Sequence, residues 1–274
     1  MAGIQNIGLL RRLALPILSK LSQDITIAHH YTNEDVYLNS FKHKGYWFHG
    51  KNREKLSMDL FSKLIDSSDT VIEVGGHIGY ISLYFASLVP AGRVFVFEPG
   101  ANNLPYTRKN LEPKSNITLI EKGIGSSTGT LPLYMEGLTG QNNSFVKDFE
   151  RLNINSVNAF VDAPVVAALV ELISIDDFVK EQQIKPGFIK IDVEGFELSV
   201  IKGMLESLDR DRPICMIEVQ SDHQEIYEIM TSKGYLMFTE SLTKIDTPSD
   251  LLDNTFCLHT QYHSRQLQKL GLVA

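Results

Sequence analysis

Seven short runs of residues, apolar at most positions and rich in β-branched and aromatic side chains, recur along this chain. They are 70–74 (TVIEV), 93–98 (RVFVFE), 116–121 (NITLIE), 187–192 (GFIKID), 213–219 (PICMIEV), 234–240 (GYLMFTE) and 254–259 (NTFCLH). Strands that are apolar without strict alternation are covered on both faces, which predicts a parallel sheet. The stretches 79–89, 101–111, 195–208 and 222–233 have helical spacing and lie between these runs. Strand–helix alternation of this kind reads as α/β, doubly wound.

Two regions break the rhythm. Residues 1–66 mix helix and strand signals, including the aromatic string Tyr46-Trp47-Phe48-His49, and are expected to form an N-terminal extension that caps the sheet, with 67–274 as the main domain. Residues 124–186 read as an insertion between the third and fourth core strands. Within it, 129–135 is expected as a strand and 163–179 as a strand leading into a helix. Its polar, turn-rich middle fits a substrate loop at the sheet's carboxyl edge, set against a solvated surface loop.

Composition narrows the picture. The 274 residues, 43% hydrophobic and 22% charged, suit a globular chain with one large domain. A formal charge of −7 provides no field for gathering phosphates, so nucleic acid is not expected as a partner. Cys215 and Cys257, the two cysteines, sit in apolar runs and read as buried thiols of a reducing compartment. No apolar run approaches the roughly 18 residues needed to cross a bilayer. The N-terminal segment, broken by Arg11, Arg12 and Pro16, is too short in its apolar part for a secretory leader. It reads as a helical cap packed on its own domain, with docking on a partner chain or a membrane surface as the alternative. The expected location is cytoplasmic.

Four motifs carry candidate chemistry. In Glu73-Val74-Gly75-Gly76-His77-Ile78-Gly79 a strand feeds a glycine turn that opens a helix. Glycine lets the backbone turn sharply and approach a ligand. The spacing misses the dinucleotide GxGxxG pattern, because His77 and Tyr80 occupy its second and third glycine positions. An acid just before the glycines instead suits the ammonium of a sulfonium cofactor's amino-acid end. Glu98, before Pro99, ends the second strand 19 residues past Gly79, where a carboxylate accepts ribose hydroxyls. In Lys190-Ile191-Asp192-Val193-Glu194-Gly195-Phe196-Glu197 three acids gather at the end of a buried strand, where such sheets bind ligands. Asp192 and Glu194 are expected to face the site, while Glu197 is divided between the site and a helix start. Finally, Glu218 and His223 follow the next strand. They offer a base or, with Asp192, an oxygen-rich metal site, although no metal is assigned.

These four pieces, in this order, resemble the FkbM-type S-adenosylmethionine-dependent methyltransferases, over about Asp69 to Phe238. FIKIDVEGFE at 188–197, preceded by ISIDDF at 173–178, is the most specific part. Where that family has Asp and Asn, this chain has Glu73 and His77. The resemblance implies a seven-stranded Rossmann-like class I methyltransferase sheet whose last strand is antiparallel. It also implies O-methylation of a hydroxyl on a sugar, glycan or natural product. By it, Glu73, Gly75, Gly76, His77 and Gly79 hold the methionine part of S-adenosylmethionine, and Glu98 and Pro99 the ribose. Lys122, Gly123 and Ile124 flank the adenine. Asp192 and Glu194 lie at the reacting methyl, so the base is sought among Asp192, Glu194 and His223. The aromatic string 46–48 and the loop from Gln141 to Ser144 suit a sugar or another polyhydroxylated acceptor, and the aromatics equally suit a homodimer interface, which is left open.

Two other functions remain at this stage. A nicotinamide oxidoreductase shares the sheet and Glu98 but lacks the glycine pattern and a Tyr-x-x-x-Lys pair. A non-catalytic cofactor-binding module is the other, against which the acid cluster at 192–197 weighs.

Overall fold

The computed structural model describes Arg12, residues 14–251 and residues 253–272. Most of the expected N-terminal segment, 1–11, lies outside the described residues. A hairpin of β1 (Asp24–Ala28) and β2 (Asp35–Asn39) comes first. The core strands follow as β3 (Thr70–Val74), β4 (Arg93–Phe97) and β5 (Ile117–Ile120). The insertion contributes β6 (Gly123–Ile124), β7 (Gly129–Met135) and β8 (Val166–Ile173), which form a separate three-stranded sheet. The core resumes with β9 (Phe188–Ile191), β10 (Ile214–Val219), β11 (Tyr235–Thr239), β12 (Lys244–Ile245) and β13 (Asp253–His259).

The main sheet has eight strands in the order β12-β11-β13-β10-β9-β3-β4-β5. Seven strands were expected. The eighth is β12, only two residues long, too short to show as an apolar run. β5, β4, β3, β9 and β10 pair in parallel, and β13 runs antiparallel to both β10 and β11. The strand order reverses between β3 and β9, so both strands end at one crevice.

Each strand feeds two cores because successive side chains point to opposite faces. Val71, Val94 and Phe188 pack with Phe61 and Phe85 on one face, and Ile72, Phe95 and Ile189 pack with Phe178 and Val200 on the other. This double burial is why the strands read as continuously apolar. The helix Lys55–Leu64 belongs to the first core: Phe61 meets Phe85, Phe188 and Phe256 at ring distances of 4.9–5.9 Å. Residues assigned to the extension are therefore part of the sheet's own core.

The helix expected over 195–208 is two helices, Glu197–Lys202 and Leu205–Arg210. At the break, a Cβ on Gly203 would fall 2.1 Å from the Gly125 carbonyl oxygen, so backbone packs on backbone there. Cys215 and Cys257 face each other in register on β10 and β13 as buried free thiols.

Candidate active site

The glycine turn after β3 is pinned from two sides. The Gly75 and Gly76 amides both donate to the Phe97 carbonyl, at 3.0 and 3.1 Å, which ties the turn to the end of β4. A Cβ on Gly75, which has φ +90°, would lie 1.8 Å from the Asp192 carbonyl oxygen, so the turn also abuts the end of β9. Only glycine fits that position. Gly79 serves sterically: at φ +83° it precedes the helix Tyr80–Leu88 and packs on Leu111, outside the cavity.

One cavity opens at the ends of β3, β4, β9 and β10. Glu73, Gly75, Gly76, His77, Glu98, Pro99, Lys122, Gly123, Ile124, Asp192, Glu194 and Glu218 all line it. The structure thus brings together the residues expected around the site, except Gly79, Glu197 and His223. Glu197 is fully buried at the start of its helix and accepts from the Gly195 amide at 2.8 Å. His223 opens the helix His223–Ser232 and does not line the cavity.

Beneath the cavity lies Lys190, a fully buried cation. Its Nζ sits 2.8 Å from Asp192 Oδ2 and 3.9 Å from Glu73 Oε1. Burial alone would strip its charge, but these two carboxylates keep it protonated. Glu73 also accepts from Ser82 Oγ at 2.5 Å, and burial pushes its pKa up to about 7. Glu98 is raised likewise, to about 7, despite accepting from the His77 and Gly100 amides at 2.7 and 2.8 Å.

The oxygens of Asp192, Glu194 and Glu218 lie within 4.8 Å of one another. The register that pairs Ile217 with Ile191 sets Glu218 beside Asp192. Three adjacent carboxylates cannot all ionise, and their environments divide them. Burial opposes the Asp192 charge, yet Lys190 and a hydrogen bond with Glu218 hold its pKa down at about 2. The Asp192 charge, with burial, pushes Glu218 up to about 11, so Glu218 keeps its proton. Glu194 is raised to about 8 by burial and by Asp192.

His77 has a fixed tautomer. Its Nε2 faces the Thr139 carbonyl at 3.1 Å, which only accepts, so Nε2 carries the hydrogen and Nδ1 accepts from Tyr46 Oη at 2.9 Å. Burial depresses its pKa to about 4, so the ring is neutral. One imidazole therefore joins the glycine turn, the extension and the insertion. Three non-glycine cavity residues, Glu54, His77 and Glu194, adopt φ near +50°.

Several cavity residues escaped the sequence reading. From the extension come Arg53 and Glu54, beside Tyr46 of the aromatic string, whose ring lies 4.4 Å from the Arg53 guanidinium. From the helix after β4 comes Asn103, only 2% exposed, whose Oδ1 has no partner among the described residues. The middle of the insertion is a built wall: Glu136 accepts from the Thr139 and Gly140 amides, and Ser144 Oγ donates to the Glu194 carbonyl at 2.6 Å. Gln141, Asn142 and Asn143 line the cavity.

A mixed sheet in this order, with a glycine turn and strand-end carboxylates around one cavity, defines an α/β methyltransferase of the class I kind. The Methyltransferase FkbM domain matches residues 73–237, so the chain belongs to the FkbM methyltransferase family, and it is a methyltransferase. It is 27% identical over 194 residues to Methyltransferase sdnD of Sordaria araneosa, covering 62% of this chain and 75% of that one. It is 22% identical over 190 residues to Hexuronic acid methyltransferase AglP of Haloferax volcanii, covering 68% and 70%. The solved methyltransferase FkbM from Methylobacillus flagellatus KT superposes with a TM-score of 0.47 at 19% identity, over 70% of this chain and 44% of that one.

Proposed function

We propose that the chain transfers the methyl group of S-adenosylmethionine to an oxygen, on a hydroxyl of a sugar, glycan or natural product. The observation that carries this reading is the cavity itself. One wall is a glycine turn with Glu73 and Glu98, and the facing wall is the trio Asp192, Glu194 and Glu218.

The residues present fit such a cofactor. The orphaned Asn103 Oδ1 offers an acceptor beside Glu98 for ribose hydroxyls. Glu73 suits the ammonium, and Lys122 to Ile124 suit the flanks of the adenine. When bound, S-adenosylmethionine supplies a methyl already activated on a sulfonium. The chain's own work is then alignment and proton removal. Asp192, kept anionic by Lys190, orients the acceptor. Glu194 takes the hydroxyl proton, because a base is most effective with a pKa near the working pH.

Calorimetric titration of the chain with S-adenosylmethionine, its demethylated product and NAD tests the cofactor. Labelled methyl transfer to sugars and glycosylated natural products tests the acceptor. Micromolar binding of the first two, and label on an acceptor oxygen, is expected. Binding of NAD alone would overturn the reading.

A further inference from the structure

One surface of the molecule is apolar and basic on an otherwise acidic chain. The short helix over 14–20 leaves Ile17, Leu18 and Leu21 exposed, Leu21 at 72%. Beside it, Trp47 and Phe48 are exposed at 46% and 72%. The two segments are tied together. The Ser40 amide donates to the Gln23 carbonyl at 2.9 Å, and Trp47 Nε1 donates to the Ser40 carbonyl at 2.8 Å. Leu15 packs against Phe41, Leu138 and Ala159, so the helix has an inner face as well as this outer one.

Bases predominate in the two segments that carry these side chains. Residues 12–23 and 40–56 hold seven bases and one acid, in a chain whose formal charge is −7. The acid, Glu54, lines the cavity with Arg53. The neighbouring exposed acids are Asp24, which accepts from Tyr37, Asn39 and Tyr106, and Asp162. Arg12, Lys20, Lys42, Lys51 and Lys55 are exposed.

Aromatic and aliphatic tips interleaved with lysines are the chemistry of an anionic membrane interface, where rings enter the headgroup layer and cations meet lipid phosphates. A second copy docked on the same face would set these positive charges against their own equivalents. We propose that this face seats the enzyme on an anionic lipid surface.

Trp47 is the single tryptophan of the chain, so its emission reports on the face directly. The full chain is mixed with phosphatidylcholine vesicles, with and without phosphatidylglycerol, some carrying brominated acyl chains. Co-sedimentation, a blue shift and bromine quenching are expected with the anionic vesicles, weakening as salt is raised. Lys42→Gln and Lys51→Gln should each lower partitioning about fivefold, and Phe48→Ser should reduce the blue shift. Unchanged emission without co-sedimentation overturns the proposal. So does a blue shift that appears with protein concentration alone, which would assign the face to a second copy.

Discussion

Asp192 and Glu194 stand two residues apart at the same strand end, yet their surroundings give them different chemistry. Asp192 is held near 2 by Lys190 and Glu218, which makes it a strong anchor and a weak base. Glu194, raised to about 8, is protonated below that pH and basic above it. Turnover per unit of free enzyme, kcat/KM, should therefore climb with pH up to about 8 and then level. Glu194→Gln should remove that climb and lower kcat by roughly 10²–10⁴ with cofactor affinity kept, as stopped assays across pH would read. Asp192→Asn should also suppress turnover while sparing cofactor binding. The ring of His77 makes a different prediction. Tyr46→Phe leaves a buried acceptor without a donor, so it should cost about 1–3 kcal/mol in urea unfolding. Glu73, Gly75, Gly76, His77 and Glu98 were legible in sequence because their chemistry sits on the strand ends that carry them. Arg53 and Asn103 were not, because only tertiary packing brings them to the cavity. Gly79 shows the converse, a motif position whose work is packing.

At the scale of elements, the core strands and most helices could be read from apolar runs and their spacing, because burial on both faces leaves a continuous signal. β12 escaped because two residues make no pattern, and the split helix escaped because Gly203 is demanded by Gly125, far away in sequence. The expected boundary at 66/67 cuts just after Lys55–Leu64, the helix that supplies Phe61 to the first core. Phe61→Ala should cost about 3–5 kcal/mol, read as a lowered urea midpoint. A chain beginning at residue 67 should lack a cooperative thermal transition, since it would expose Phe85, Phe188 and Phe256 together. A sharp transition in that truncation would show that the main domain stands alone.

For the whole molecule, buried titratable groups work against each other. Burial raises Glu73, Glu98 and Glu197 to about 7 and Glu194 to about 8, so the folded chain binds extra protons above the ordinary 4.5. Stability from these groups rises as pH falls through that window. Burial lowers His29, His77 and His263 to about 4 and His43 to about 2, from 6.5. These four rings bind fewer protons in the folded chain than in the unfolded one below about 6.5, so their contribution falls as pH falls there and offsets the gain from the acids. Without cofactor, the thermal midpoint should rise from about pH 8.5 to about 6.5, and that gain should stop below it. Scanning calorimetry checks both limbs. A cofactor with two cationic groups favours ionised carboxylates, so its added stabilisation should be larger at about pH 8 than at about pH 6.

The helix Lys44–His49 has two faces with different tasks. Tyr46 reaches inward to His77 in the glycine turn, while Trp47 and Phe48, its immediate neighbours, point to the outside. Whatever grips the outer face and favours the docked position of this helix also favours the turn that Tyr46 braces. Energetic coupling between two sites is reciprocal, so a filled cavity must tighten the grip outside by the same factor. Cofactor affinity measured with and without anionic vesicles, and vesicle affinity measured with and without cofactor, should close into one thermodynamic cycle. The enzyme would then be most firmly seated when it is loaded and ready to react, and would loosen as the cavity empties.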